Sequence, residues 1–146
     1  VLYIAKKDSP QPIRLMSSVG KQLPLYCTGL GRALLAYKSE EEIRSLFPEV
    51  LTAYTPHTIA TINDLLKELE LTRQRGYAVE HEETNLMVNC IAVSLDYNNA
   101  PIAALSISIP TFRISESKEK EAVQILWEAK QHIETHFKMY GVDFGN

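Results

Sequence analysis

The sequence predicts an α+β domain, with helices packed on a central antiparallel sheet. Three observations carry this. Strand-like apolar runs stand at residues 1–5, 13–17, 77–81, 89–97 and 101–109. Helix-periodic stretches with start and stop signals lie between and after them. The links between paired strands are turn-rich and tight, which joins neighbours antiparallel.

Residues 1–5 read as the first strand and residues 13–17 as the second, separated by a stretch holding Pro10 and Pro12. Another turn follows at Gly20. Residues 30–37 read as a short apolar helix. Ser39 and Glu42 stand as the two members of a capping box; Ile43, Leu46 and Phe47 then share one face, and Pro48 ends the helix. Thr61 opens the next helix, in which Ile62, Leu65, Leu66 and Leu69 recur at helical spacing and Gly76 is the stop. Residues 77–81 form a strand, and Asn98-Asn99 then turns one long apolar strand back on another. Residues 115–137 close the chain as an amphipathic helix. Ala122, Leu126, Ala129, Ile133 and Phe137 line one side of it, and Glu116 and Glu119 sit near its positive end. The expected order is β-β-α-α-α-β-β-β-α.

The 146 residues fit one domain, 1–146, with its own core. Hydrophobic residues make up 45% and charged residues 23%, the balance of an ordinary globular chain rather than a disordered one. A net charge of −3, with no basic cluster beyond Arg73 and Arg75, argues against this segment gripping nucleic acid by itself. No apolar run reaches membrane-spanning length and no signal peptide is visible, so no membrane partner is expected. Two cysteines, Cys27 and Cys90, make no disulfide framework, and a reduced, cytoplasmic setting is expected. The chain opens on Val1 rather than Met, as expected of a fragment with an upstream part missing.

Two segments offer ways to hold a small anion. In the first, an apolar run meets Thr28-Gly29-Leu30-Gly31 and then an Ala/Leu-rich helix. A helix start presents unpartnered amides and a partial positive charge, and glycine lets a ligand approach the backbone. The element matches neither the P-loop nor the dinucleotide fingerprint, and a tight strand-to-helix turn packed with small residues explains it equally well. The second is the hairpin, where Cys90, Ser106 and Ser108 interrupt oily strands. Ser106 and Ser108 share a face, and polar groups on a buried face need partners; a ligand or the neighbouring backbone serves. Cys90 in an apolar strand reads equally as a small core residue.

Other chemistry finds less support. No nucleophile elbow or cysteine-protease signature accompanies the cysteines and histidines, so no catalytic residue is assigned. His81, Glu82 and Glu83 are the densest polar cluster, but strand alternation splits them between faces. His132 and His136 lie one helical turn apart without the glutamate of a metalloprotease helix. No metal and no cofactor is expected.

Taken together, three ordered motifs resemble the effector-binding domain of the IclR family of bacterial transcriptional regulators. The first runs Leu23-Pro24-Leu25-Tyr26-Cys27-Thr28-Gly29-Leu30-Gly31-Arg32-Ala33-Leu34-Leu35. The second is Gly76-Tyr77-Ala78-Val79-Glu80-His81-Glu82-Glu83 with Asn89-Cys90-Ile91-Ala92, and the third is Ala103-Ala104-Leu105-Ser106-Ile107-Ser108-Ile109-Pro110. The resemblance covers essentially the whole chain. It implies a GAF/profilin-like fold, an upstream winged helix-turn-helix domain that binds operator DNA, and assembly as a homodimer or homotetramer. It also implies a pocket in which the Gly29 and Leu30 amides hold a ligand carboxylate. Glu80, Cys90, Ser106 and Ser108 would meet the ligand's other polar atoms, and Leu15, Leu23 and Val88 would form an apolar wall. Glu80 stands where the family pattern favours Asp, and Ile109 replaces a Gly.

Charge narrows the expected ligand. An anion suits the helix start, whereas an ionised Glu80 repels a second anion and, with two serines, suits hydroxyl groups. The expectation is a small hydroxylated carboxylate metabolite, such as a sugar acid or keto acid, that changes operator binding by linkage. Two alternatives stand beside it: a small cysteine-dependent redox enzyme using Cys27 or Cys90, and a ligand-free oligomerisation module.

Overall fold

The structure, a computed structural model, describes residues 1–9 and 18–142. Each helix starts and stops on short-range chemistry. Helix α1 spans Gly29–Leu35, and the Thr28 hydroxyl accepts from the Gly31 amide at its start. Helix α2 spans Glu40–Leu46; Ser39 Oγ accepts from the Glu42 amide while the Glu42 carboxylate accepts from the Ser39 amide. Helix α3 spans Ile62–Arg75, capped by Thr61 and stopped by Gly76. The φ of Gly76 is 80°, in the left-handed region that a side chain resists. Helix α4 spans Glu116–Tyr140 behind the Ser115 cap and runs past the expected end at Phe137.

Three strands form one antiparallel sheet in the order β1-β2-β3: β1 (Ala78–His81), β2 (Val88–Tyr97) and β3 (Ala100–Pro110). Asn98 and Asn99, at φ 51° and 62°, make the β2–β3 turn. Two left-handed residues match the twist of the flanking strands, and asparagine tolerates that conformation better than most residues.

The N-terminal strand expected at residues 1–5 is reduced to a single bridge between Leu2 and Gln22. Tyr3 donates to Lys21 O and Leu23 donates to Val1 O, while Gly20 turns back onto Tyr3 O. The strand expected at residues 13–17 lies outside the described residues.

The sheet separates two layers. On one face Ile91 and Val93 pack on Ala122 and Leu126 of α4. On the other, Ala33 of α1 meets Ala78 and Ala92, and small side chains on both partners let the helix lie close. Ile62, Leu65 and Leu69 of α3 and Ile43 of α2 join Tyr26, Cys27 and Leu35 in a further core that anchors α1. Each fully buried leucine or isoleucine there contributes about 1.5–3 kcal/mol.

Candidate functional site

The register places Glu80, Cys90 and Ser108 side by side across all three strands, with Ala78, Ala92 and Ser106 in the next row on the same face. Cys90 Sγ and Ser108 Oγ lie 3.0 Å apart. The start of α1 rests on these rows: a methyl group at Gly29 would stand 3.4 Å from Cβ of both Cys90 and Ala92. Thr28 consumes two helix amides, its hydroxyl taking Gly31 N at 3.1 Å and its carbonyl Arg32 N at 3.0 Å. The Gly29 and Leu30 amides precede them and donate to no group among the described residues. Sequence-distant parts thus adjoin: Gly29 at the helix start lies against Cys90, which stands between Glu80 and Ser108 in the row.

Burial dominates the electrostatics. Glu80 is 1% exposed, and Oε1 accepts from the amides of Glu83 at 2.6 Å and Thr84 at 3.2 Å. Loss of water pushes its carboxyl above the ordinary range, and those two amides offset only part of the rise. Burial, with the nearby Glu80 charge, pushes the Cys90 thiol up to about 12. The half-buried Tyr3 hydroxyl is also raised, chiefly by burial and then by the Cys90 and Glu80 charges. Nothing in the sequence flagged Tyr3; its alternation within residues 1–5 was the only available signal.

The remaining expected residues are placed as follows. Ser106 is half-buried one row from Ser108, which is exposed. Leu30 packs with Ala33, Ala78 and Ala92. Val88, two residues from Cys90, continues the same face, and Leu23 is half-buried in the segment leading into α1. Leu15 lies outside the described residues. A cavity of about 210 Å³ lies elsewhere, at the far end of α1 between Ala36, Tyr37, Gly76 and Ser94. Neither Gly29 nor Ser108 lines it.

The polar cluster after β1 is committed to structure. Arg32, 1% exposed, forms a two-pronged ion pair with Glu83, at 2.6 Å to Oε1 and 2.5 Å to Oε2, and also donates to Tyr26 O and Val79 O. Glu83 Oε2 takes the Ile59 amide as well. Glu82 accepts from the Met87 amide, and His81 Nδ1 meets Asn89 Oδ1 at 2.9 Å. His132 and His136 stack with ring centroids 5.0 Å apart. The Arg32–Glu83 pairing was invisible in the sequence because 51 residues separate the partners.

An antiparallel sheet sandwiched between helices is an α+β architecture of the GAF/profilin-like kind. The chain belongs to the IclR family: the family described as "Bacterial transcriptional regulator IclR C-terminal" matches residues 1–135. It is 39% identical over 135 residues to the HTH-type transcriptional regulator KdgR of Dickeya chrysanthemi, covering 91% of this chain and 44% of that protein. The chain thus spans about half the length of the curated relatives it matches. The crystal structure of Thermotoga maritima IclR superposes with a TM-score of 0.85 at 34% identity, over 97% of this chain and 57% of that one. The inducer-binding domain of a PobR double mutant from Acinetobacter, in complex with 3-hydroxybenzoic acid, gives 0.73 at 28% identity, over 80% of this chain and 69% of that one. Among the described residues, no helix is long and apolar enough to cross a membrane.

Proposed function

We propose that residues 1–146 are the effector-sensing part of a cytoplasmic transcription regulator. A hydroxylated monocarboxylate, such as a sugar acid or 2-keto sugar acid, binds beside the start of α1, over the exposed side of the Glu80–Cys90–Ser108 row. The observation that supports the reading is the register that aligns Glu80, Cys90 and Ser108 in one row, with Gly29 packed against Cys90. The carboxylate takes the Gly29 and Leu30 amides, where the helix dipole favours it. Its hydroxyls meet Glu80, Ser106 and Ser108, while Val88 and Leu23 supply apolar wall. The ligand of the PobR relative, 3-hydroxybenzoic acid, is itself a hydroxylated monocarboxylate.

Binding favours one arrangement of a homodimer or homotetramer, and that arrangement sets the spacing of DNA-binding domains carried upstream. No bond is made or broken. Burial holds both thiols at about 12, which keeps them neutral at pH 7 and disfavours the thiolate that a cysteine-dependent enzyme needs.

A thermal-shift and calorimetric screen tests the reading with gluconate, 2-ketogluconate and benzoate. A ligand at a hundred times its Kd adds about 2.7 kcal/mol to apparent stability. Ser106→Ala combined with Ser108→Ala is expected to weaken sugar-acid binding about tenfold, with unfolding unchanged. Stabilisation by benzoate with no response to either sugar acid rejects the ligand class; normal binding by the double variant rejects the site.

A further inference from the structure

The cavity at the far end of α1 has its own chemistry. Its walls are mostly small and apolar, including Ala33, Ala36, Ala78, Ala92 and Val93. At about 210 Å³ it exceeds the ~150 Å³ hollow known to hold benzene. Its polar end is a pair of hydroxyls, Tyr37 and Ser94, 2.9 Å apart. Tyr37 donates to Asp96 Oδ2 at 2.6 Å, so its oxygen meets a newcomer only as an acceptor.

Behind the hydroxyls lies a charged cluster. Lys130 Nζ sits 2.7 Å from both Asp96 Oδ2 and Glu134 Oε1. Two carboxylates against one ammonium leave one net negative charge (−2 + 1 = −1). The second oxygen of Asp96, Oδ1, is buried without a hydrogen-bond partner among the described residues. The guanidinium of Arg73 at the rim does not reverse the balance, because it already pairs with Glu70 at 3.0 Å and donates to Ala36 O and Lys38 O. This end therefore accepts hydrogen bonds and repels anions.

We infer that this cavity is a second small-molecule site, separate from the one at the start of α1, and that it takes an uncharged monocyclic compound bearing a hydroxyl, such as a simple phenol. The ring fills the alanine-lined space and the hydroxyl donates to Tyr37. A carboxylate is disfavoured there by the net negative charge of the Lys130, Asp96 and Glu134 cluster behind the hydroxyls.

The test is an amide NMR titration of the 146-residue chain with 4-methylphenol, and with benzoate as a ring of similar size that carries a charge. 4-Methylphenol is expected to move the amides of Tyr37, Gly76 and Ser94, and benzoate to leave them still. Ala36→Leu, which fills the space, is expected to weaken the phenol at least tenfold. Tyr37→Phe is expected to weaken it about fivefold, the loss of one net hydrogen bond. Tyr37 is half exposed, so this variant keeps the test decisive if Ala36→Leu fails to fold. The inference is overturned if no amide around the cavity moves, if benzoate moves the same amides, if the shifts centre on Gly29 and Cys90, or if Tyr37→Phe binds the phenol unchanged.

Discussion

The two ends of α1 rest on the same face of the same sheet and behave oppositely. At the start the helix is pressed down: Gly29 lies against Cys90 and Ala92, and a methyl group at Gly31 would stand 2.1 Å from Leu25 O. A buried ion pair, Arg32–Glu83, ties this end to the loops around it. At the far end alanines leave space, and the charged cluster of Lys130, Asp96 and Glu134 sits nearer to water. One end offers amides and positive dipole, the other hydroxyl acceptors and negative charge. A short helix thereby presents two unlike environments, one held by sealed charges and one bordered by leaky ones.

Removing a charge from each end is the strongest way to break this contrast. Glu83→Ala strands Arg32 with no counter-charge in a dry site, and should cost about 3–5 kcal/mol in urea unfolding. Lys130→Met should cost only about 1–2 kcal/mol, because the freed carboxylates of Asp96 and Glu134 are 23% and 19% exposed and can recruit water. Equal losses would mean that the far end is as sealed as the near one.

The two glycines sharpen the same contrast within one turn. Gly31→Ala drives a methyl group into the backbone of Leu25 and should cost about 3 kcal/mol or more. Gly29→Ala meets only ordinary contacts and gains helix propensity, so its stability should stay within about 1 kcal/mol. Its effect should fall instead on sugar-acid affinity, since the methyl sits between the helix start and Cys90. Calorimetry on the folded variant separates the two outcomes; full affinity would remove Gly29 from the site.

What was legible in the sequence was local. The helix start at Thr61, the Ser39–Glu42 box, the Gly76 stop and the Asn98-Asn99 turn need only neighbours a few residues away. The row of Glu80, Cys90 and Ser108 was reached through family motifs, and register then put the side chains together. Unreadable features depended on distant partners. Arg32 is buried by its pairing with Glu83, 51 residues away, and Lys130 interrupts the apolar face of α4 for the sake of Asp96, 34 residues earlier. A signal did exist for the second pair: a lysine in an apolar helix stripe and an aspartate in an apolar strand each want a partner, and each supplies the other's. At residues 1–5 apolar alternation proposes a strand, and among the described residues only Leu2 pairs, with Gln22.

The smallest effect is a difference in sign with pH. At Asp96 burial works to raise the carboxyl, but hydrogen bonds from Lys130, Tyr37 and Ser94 prevail and hold it below its ordinary 3.8. The native state then binds fewer protons than the unfolded chain in that window, so this stability is present above pH 3.8 and drains away as pH falls through the native value. Glu80 is the reverse: burial lifts it above its ordinary 4.5, so the native state holds its proton longer and stability declines as pH rises from 4.5 through the native value. Asp96→Asn should therefore lose about 1 kcal/mol at pH 7 and converge with the parent in acid. Glu80→Gln retains the oxygen that accepts from the Glu83 and Thr84 amides and carries no charge. It should match the parent near pH 4 and become the more stable of the two by less than about 1 kcal/mol at pH 7, in urea titrations between pH 3 and pH 8. Parallel pH slopes for the two variants would show that the carboxyls at the two ends of α1 sit in alike surroundings, and the contrast between those ends would not hold.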